Sequence, residues 1–135
     1  MILVLYPGNG FGIDKCPAQE VCGVSKSEPV RDVVVPSDKY PEAVGHIQDA
    51  QDKGQPAIVT IDRAGAKGRR ADAMKGQAVV PGKDRDEYPP AMFGEGGKGA
   101  SVRPISPPDN RGAGACIGAQ CSDLPDGSRV KIVPR

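Results

Sequence analysis

The sequence predicts a small, turn-rich α+β domain, and three observations carry that prediction. Glycine and proline are abundant, 18 and 14 among 135 residues, which favours short elements joined by tight turns over a helical bundle. Hydrophobic residues make up 38% of the chain, with no Trp, two Phe and three Tyr, so the core must be mainly aliphatic. Short β-branched runs alternate with segments of helical apolar spacing, without an internal repeat, as expected of a mixed domain of ordinary size.

Residues 1–31 form a first section, expected to pack on the body made by 32–135 within a single globular domain. It holds an apolar strand (Met1 to Tyr6), a Gly-rich turn (Pro7 to Gly12) and a cysteine loop. That turn lacks the G-x-G-x-x-G spacing and a following helix start, so a dinucleotide site is not expected. Asp32 to Pro36 reads as a strand. Ser37 offers an N-cap for a helix from Lys39 to about Lys53, where Tyr40, Val44, Ile47 and Ala50 recur at helical spacing. Gly54 ends it. Ala57 to Ile61 is a β-branched run suited to a buried strand, and Asp62 caps a weak helix from Ala64 to Lys75. Two apolar pieces, Tyr88 to Phe93 and Ser101 to Ile105, flank the Gly-rich loop 94–99 like a loose hairpin. Ser106-Pro107-Pro108-Asp109 then supplies caps for a helix starting near Asn110. A last strand runs from Arg129 to Val133.

The formal net charge is +1, so no global basic field points to nucleic acid, and such a partner must be read locally. No stretch approaches the ~20 apolar residues that a membrane span needs. The opening apolar run is too short for a signal-peptide core and lacks a basic start; if the protein is secreted, this chain is expected to be a mature or excised form. Four cysteines, at 16, 22, 116 and 121, allow three disulfide pairings and favour an oxidising compartment. Cys16–Cys22 and Cys116–Cys121 each close a short loop and are the expected pairs; the second requires its helix to end before Cys121. Zinc is the weaker rival, since C-x5-C and C-x4-C with one His make a poor ligand set.

One histidine constrains the chemistry. No G-x-S-x-G elbow is present, and His46, on the first helix, is expected to be structural or surface-exposed rather than a triad base. Acid–base work then falls to carboxylates. Two clusters qualify: Asp62-Arg63 with Lys67, Arg69 and Arg70, and Lys83-Asp84-Arg85-Asp86-Glu87. Residues 62–87 hold seven Lys or Arg against five Asp or Glu. That mixture puts guanidinium groups suited to phosphate oxygens beside carboxylates suited to a divalent metal or a water. A solvated charged turn is the alternative.

These residues also carry a resemblance. Thr60-Ile61-Asp62-Arg63-Ala64-Gly65-Ala66 with Arg69-Arg70 comes first, then Pro81-Gly82-Lys83-Asp84-Arg85-Asp86-Glu87-Tyr88-Pro89. Glu95-Gly96-Gly97-Lys98-Gly99-Ala100 and Asp109-Asn110-Arg111-Gly112-Ala113-Gly114 follow. In this order they resemble the NucA/NucB-type extracellular deoxyribonucleases, from about Val33 to Val133, including Lys39-Tyr40-Pro41-Glu42 and His46-Ile47. The resemblance implies a ββα-metal motif, two strands and then a helix, in the C-terminal half of a nuclease domain covering 32–135. Asp84-Arg85-Asp86-Glu87 takes the place of the wider superfamily's D-R-G-H, and Asn110 that of its helix-start Asn. With the His missing there, Asp86 or Glu87 must be the base. Some relatives carry cysteines at the places of Val59 and Phe93, or an aromatic at Cys116, none of which touches these residues.

The implied function is a metal-dependent, non-specific endodeoxyribonuclease that leaves 5′-phosphate ends. Asp86, Glu87 and Arg85 are assigned to catalysis, with Asp86 the base. Asn110, Glu87 and Gln120 are assigned to one Mg²⁺ or Mn²⁺. Arg63, Arg69, Arg70, Arg111 and Lys98 are assigned to phosphate and DNA. The expected setting is extracellular, as a monomer off the membrane, with DNA as partner and a protein inhibitor or immunity protein as a further one. A non-cleaving DNA- or partner-binding module, or the DNase effector of a larger toxin, are the alternatives.

Overall fold

A computed structural model describes residues 27–135. Its elements are β1 (Arg31–Val35), α1 (Pro41–Asp52), β2 (Ile58–Thr60), a 3-10 turn (Arg63–Gly65), α2 (Ala66–Met74), β3 (Asp84–Tyr88), β4 (Ser101–Ile105), α3 (Pro107–Cys121) and β5 (Arg129–Pro134). The expected α+β class is what forms. The predicted strand and cysteine loop of the first section, with the Cys16–Cys22 pair, lie outside the described residues.

The core sits on a three-stranded sheet of order β1-β5-β2. β5 runs parallel to β1, with Val33 opposite Ile132, and antiparallel to β2, with Val59 opposite Val130. All four side chains are buried. The helical spacing of α1 puts Ala43, Val44, Ile47 and Ala50 on one buried face. Ala113, Ile117 and Cys121 make the matching face of α3. Ile61 bridges Phe93, which ties the loop between β3 and β4 to the same core.

The hairpin differs from expectation in its first strand. The charged segment Asp84–Tyr88, not Tyr88 to Phe93, pairs with β4, with Asp84 opposite Ile105 and Tyr88 opposite Ser101. Pro89 and Pro90 have no N–H for a ladder, so pairing stops at Tyr88. The charges are tolerated in the strand because they meet partners on α1, α2 and α3, described below.

α3 starts at Pro107 rather than near Asn110, because prolines in a first turn have no N–H to satisfy. It also continues through Cys121. Five residues of helix turn about 500°, leaving the two side chains about 140° apart. Cys116 and Cys121 are accordingly free thiols, which corrects the expected Cys116–Cys121 bridge and equally prevents the two from sharing a zinc ion. The Cys116 thiol lies 3.7 Å from the Val34 carbonyl oxygen, while Cys121 is fully buried.

The helix caps are tertiary rather than local. Ser37 lies four residues before α1 starts, and neither α1 nor α3 has a side-chain cap from its own N-cap residue. Instead the carboxylate of Asp109, on α3, accepts the backbone N–H of Glu42 (3.1 Å) and of Ala43 (2.9 Å) at the start of α1. Glu42 answers by accepting the Ser106 N–H (2.9 Å) and hydroxyl (3.0 Å) at the start of α3. Each helix thus receives the anion that its orphan N–H groups and dipole favour. The two N-termini are locked side by side, beside β3.

Candidate active site

Residues in a strand alternate faces, and the contacts of β3 follow that rule. Asp84, Asp86 and Tyr88 meet α3 and α1, through Asn110 and Arg111, His46, and Gln51 respectively. Glu87, on the other face, meets Arg70 of α2. A cleft of about 470 Å³ opens where β3, α1, α3 and the turn after Tyr88 converge. Its polar wall is Asp86, Glu87, Asn110, Arg111 and Arg70, and its apolar floor includes Ile47, Met92 and Ile117.

Within the cleft the two adjacent carboxylates differ. Asp86 is 18% exposed, and its Oδ2 lies 2.7 Å from Nδ1 of His46, leaving Oδ1 uncommitted to that bond. Glu87 is only 6% exposed and pairs with the half-exposed Arg70. Burial pushes the Glu87 carboxyl above its ordinary range, against the opposing pull of Arg70 and a backbone N–H at Ala91. Asp84, behind the cleft, is held below the usual range by hydrogen bonds from Arg111 and then Asn110. Its Oδ2 accepts both the Asn110 amide (3.0 Å) and the Arg111 Nε (2.9 Å).

The Asn110 amide is therefore oriented. Its nitrogen faces Asp84, so its oxygen is the free end, a neutral donor on a residue that lines the same cleft as Glu87 and Asp86. Hard divalent cations take oxygen ligands, and Mg²⁺ commonly uses one or two carboxylates while keeping several waters. The donor set fits such an ion. No group of three or more His, Cys, Asp or Glu that could hold a metal occurs among the described residues.

Of the residues assigned from sequence, Asp86, Glu87, Asn110, Arg70 and Arg111 come together here; the others do not. Gln120 is the clearest correction. Its Oε1 accepts the Val34 N–H (3.0 Å) and its Nε2 donates to the Val34 carbonyl (2.9 Å), so the amide is taken up by the edge of β1 at the far end of α3. Arg85 points the other way along β3 and donates to the Gln77 carbonyl. Arg63 binds Asp126 (2.7 Å) and the Cys121 carbonyl (2.8 Å), satisfying the last turn of α3. Arg69 is largely buried against Asp62 and the Ala91 carbonyl. Lys98 lines a separate depression with Asp72 and Lys75.

Two residues near the chemistry were missed. Asp84 stands in the sequence as the first residue of the Asp-Arg-Asp-Glu motif and of a charged cluster, with no role of its own assigned to it. His46, expected to be structural or exposed, is fully buried and bonded at both nitrogens. Nothing local in the sequence marks its partner.

No family model matches the chain. The DNA-entry nuclease of Bacillus subtilis (strain 168) is 53% identical over 95 residues, which cover 70% of this chain and 65% of that protein. The chain thus spans just under two thirds of that relative's length. More than half of the residues are identical over that span, which bears out the resemblance to the NucA/NucB-type nucleases.

Proposed function

We propose that the protein is a metal-dependent endonuclease that hydrolyses DNA phosphodiester bonds without marked sequence preference and leaves 5′-phosphate ends. The observation that carries this reading is the convergence of Asp86, Glu87, Asn110, Arg70 and Arg111 on one open cleft. The relationship to a DNA-entry nuclease supports DNA as the substrate. An extracellular setting goes with that reading, and no helix among the described residues is long and apolar enough to cross a membrane.

In this mechanism Asp86 is the base. Its free oxygen accepts a hydrogen bond from a water, orients it for in-line attack on phosphorus and takes its proton. Asn110 Oδ1 and Glu87 would hold one Mg²⁺ or Mn²⁺. When bound, the cation supplies charge stabilisation to the phosphoryl oxygens and the departing 3′-oxygen. Arg111 and Arg70 contact non-bridging oxygens, where a planar guanidinium binds phosphate well. Their contacts read backbone rather than base edges, so cleavage is tolerant of sequence and sensitive to salt.

Supercoiled-plasmid nicking by the purified chain with Mg²⁺ or Mn²⁺, with and without EDTA, tests the reading. Metal-dependent nicking that EDTA abolishes is the expected result. DNA binding without cleavage at any metal concentration would instead make the protein a binding module on a nuclease-like fold.

A further inference from the structure

The mechanism above leaves one buried titratable side chain without a task. His46 is fully buried on α1, directly behind the carboxylate that faces the cleft. Its Nδ1 lies 2.7 Å from Asp86 Oδ2 and its Nε2 lies 2.9 Å from Ser101 Oγ. The hairpin register sets this spacing. Asp86 is opposite Arg103 and Ser101 is opposite Tyr88, so Asp86 and Ser101 are diagonal neighbours on one face of the β3–β4 ladder. The imidazole spans them from α1.

We infer that His46 is a positioning residue for the base of the proposed reaction: its Nδ1 holds one oxygen of Asp86, so that the other is presented to the attacking water, and Ser101 holds the imidazole in turn. The inference rests on the assignment of Asp86 above. The order of the pair follows from exposure. A ring with no accessible surface and both nitrogens engaged cannot meet a substrate, whereas Asp86 can. Each ring nitrogen has its own partner, so the plane of the imidazole is fixed from both ends. A carboxylate on a short side chain otherwise rotates about two torsions, and a base held in one orientation keeps its water in line.

Two substitutions separate positioning from packing. In His46→Asn the side-chain N–H falls near the place of Nδ1 and still reaches Asp86. In His46→Gln it falls near the place of Nε2 and reaches Ser101 instead. Both remove the ring, so both lower Tm. With Mg²⁺ and a DNA substrate, kcat of His46→Asn should stay within about five-fold of the parent. That of His46→Gln should fall about 10–100-fold at unchanged KM, the usual range for losing a group that orients a functional side chain. Equal losses of kcat in the two variants, in step with Tm, would overturn the inference, as would parental kcat in His46→Gln. Should neither variant fold, Ser101→Ala decides: a several-fold lower kcat at parental KM supports it, and parental kcat ends it. Asp86→Ala is measured alongside. Turnover surviving in that variant would sink the assignment of Asp86 itself, whereas an inactive Asp86→Ala beside a fully active His46→Gln sinks only the role of His46.

Discussion

The two ends of α3 use the same chemical group for opposite purposes. At its start the amide of Asn110 gives its nitrogen to Asp84 and leaves its oxygen on the cleft wall. About 15 Å further along the axis, at ~1.5 Å per residue, the amide of Gln120 gives both ends to Val34. Among the described residues β1 pairs only with β5, and Gln120 completes the hydrogen bonding of its other side much as another strand would. The start is held by Asp109 and Glu42, the end by Arg63 and by Arg31, which binds both the Gln120 carbonyl (2.6 Å) and Asp123 (2.6 Å). A free oxygen in an open cleft is able to take a ligand; a fully paired amide is a brace. Partner groups, not residue type, make the difference.

The sharpest way to break this contrast is at the cleft. Asp86→Ala should lower kcat on plasmid DNA by about 10²–10⁴-fold, the usual contribution of a general base, while leaving the circular dichroism spectrum and most DNA affinity unchanged. Near-parental turnover would move the base to Glu87. The next largest effect compares the two amide systems directly. Asp84→Ala frees the Asn110 amide and should weaken Mg²⁺ activation about 10–100-fold, read from the metal concentration that gives half-maximal cleavage. Gln120→Ala should leave that concentration unchanged and instead lower stability by about 1–3 kcal/mol, since the Val34 backbone groups lose their partner. A shift in metal requirement for Gln120→Ala would return that residue to the site.

The smallest effect concerns acid. Ser106 holds the Glu42 carboxyl below its ordinary range, and Arg31 does the same for Asp123. A carboxylate depressed in the folded state adds stability that is complete above the unfolded value, about 4, and fades as pH falls through the folded one. Tm should therefore decline below about pH 4. Glu42→Gln and Asp123→Asn should each flatten that decline, but only Glu42→Gln, which loosens the start of α3, should also reduce cleavage at neutral pH. Equal activity in the two variants would mean that the start of α3 needs no clamp to work.

Much of this architecture was legible before any coordinates. The apolar spacing of Val44, Ile47 and Ala50 announced α1, the β-branched run at 57–61 announced β2, and the capping residues 106–109 announced a helix, with its start expected near Asn110 and found at Pro107. The charged segment Asp84–Tyr88 was harder, because a strand whose exposed and buried faces both carry charge shows no hydrophobic alternation. Its carboxylates were flagged by type, but Arg85, assigned to catalysis, and Arg63 and Arg69, assigned to DNA, do not line the cleft and are engaged by Gln77, Asp126 and Asp62 respectively. An arginine bound to a backbone carbonyl and an arginine facing a cleft look the same in a string of letters.

Local sequence determined the order of elements, the buried faces of the helices and the stretch in which the carboxylates cluster, because periodicity and turn chemistry act over a few residues. The tertiary structure alone decided which polar groups meet. His46 reaches Asp86 across 40 positions, Asn110 reaches Asp84 across 26 and Asp109 reaches Ala43 across 66. Such pairings depend on how α1 and α3 pack against the hairpin, and no short-range pattern encodes the direction in which a side chain's second hydrogen-bonding atom will point.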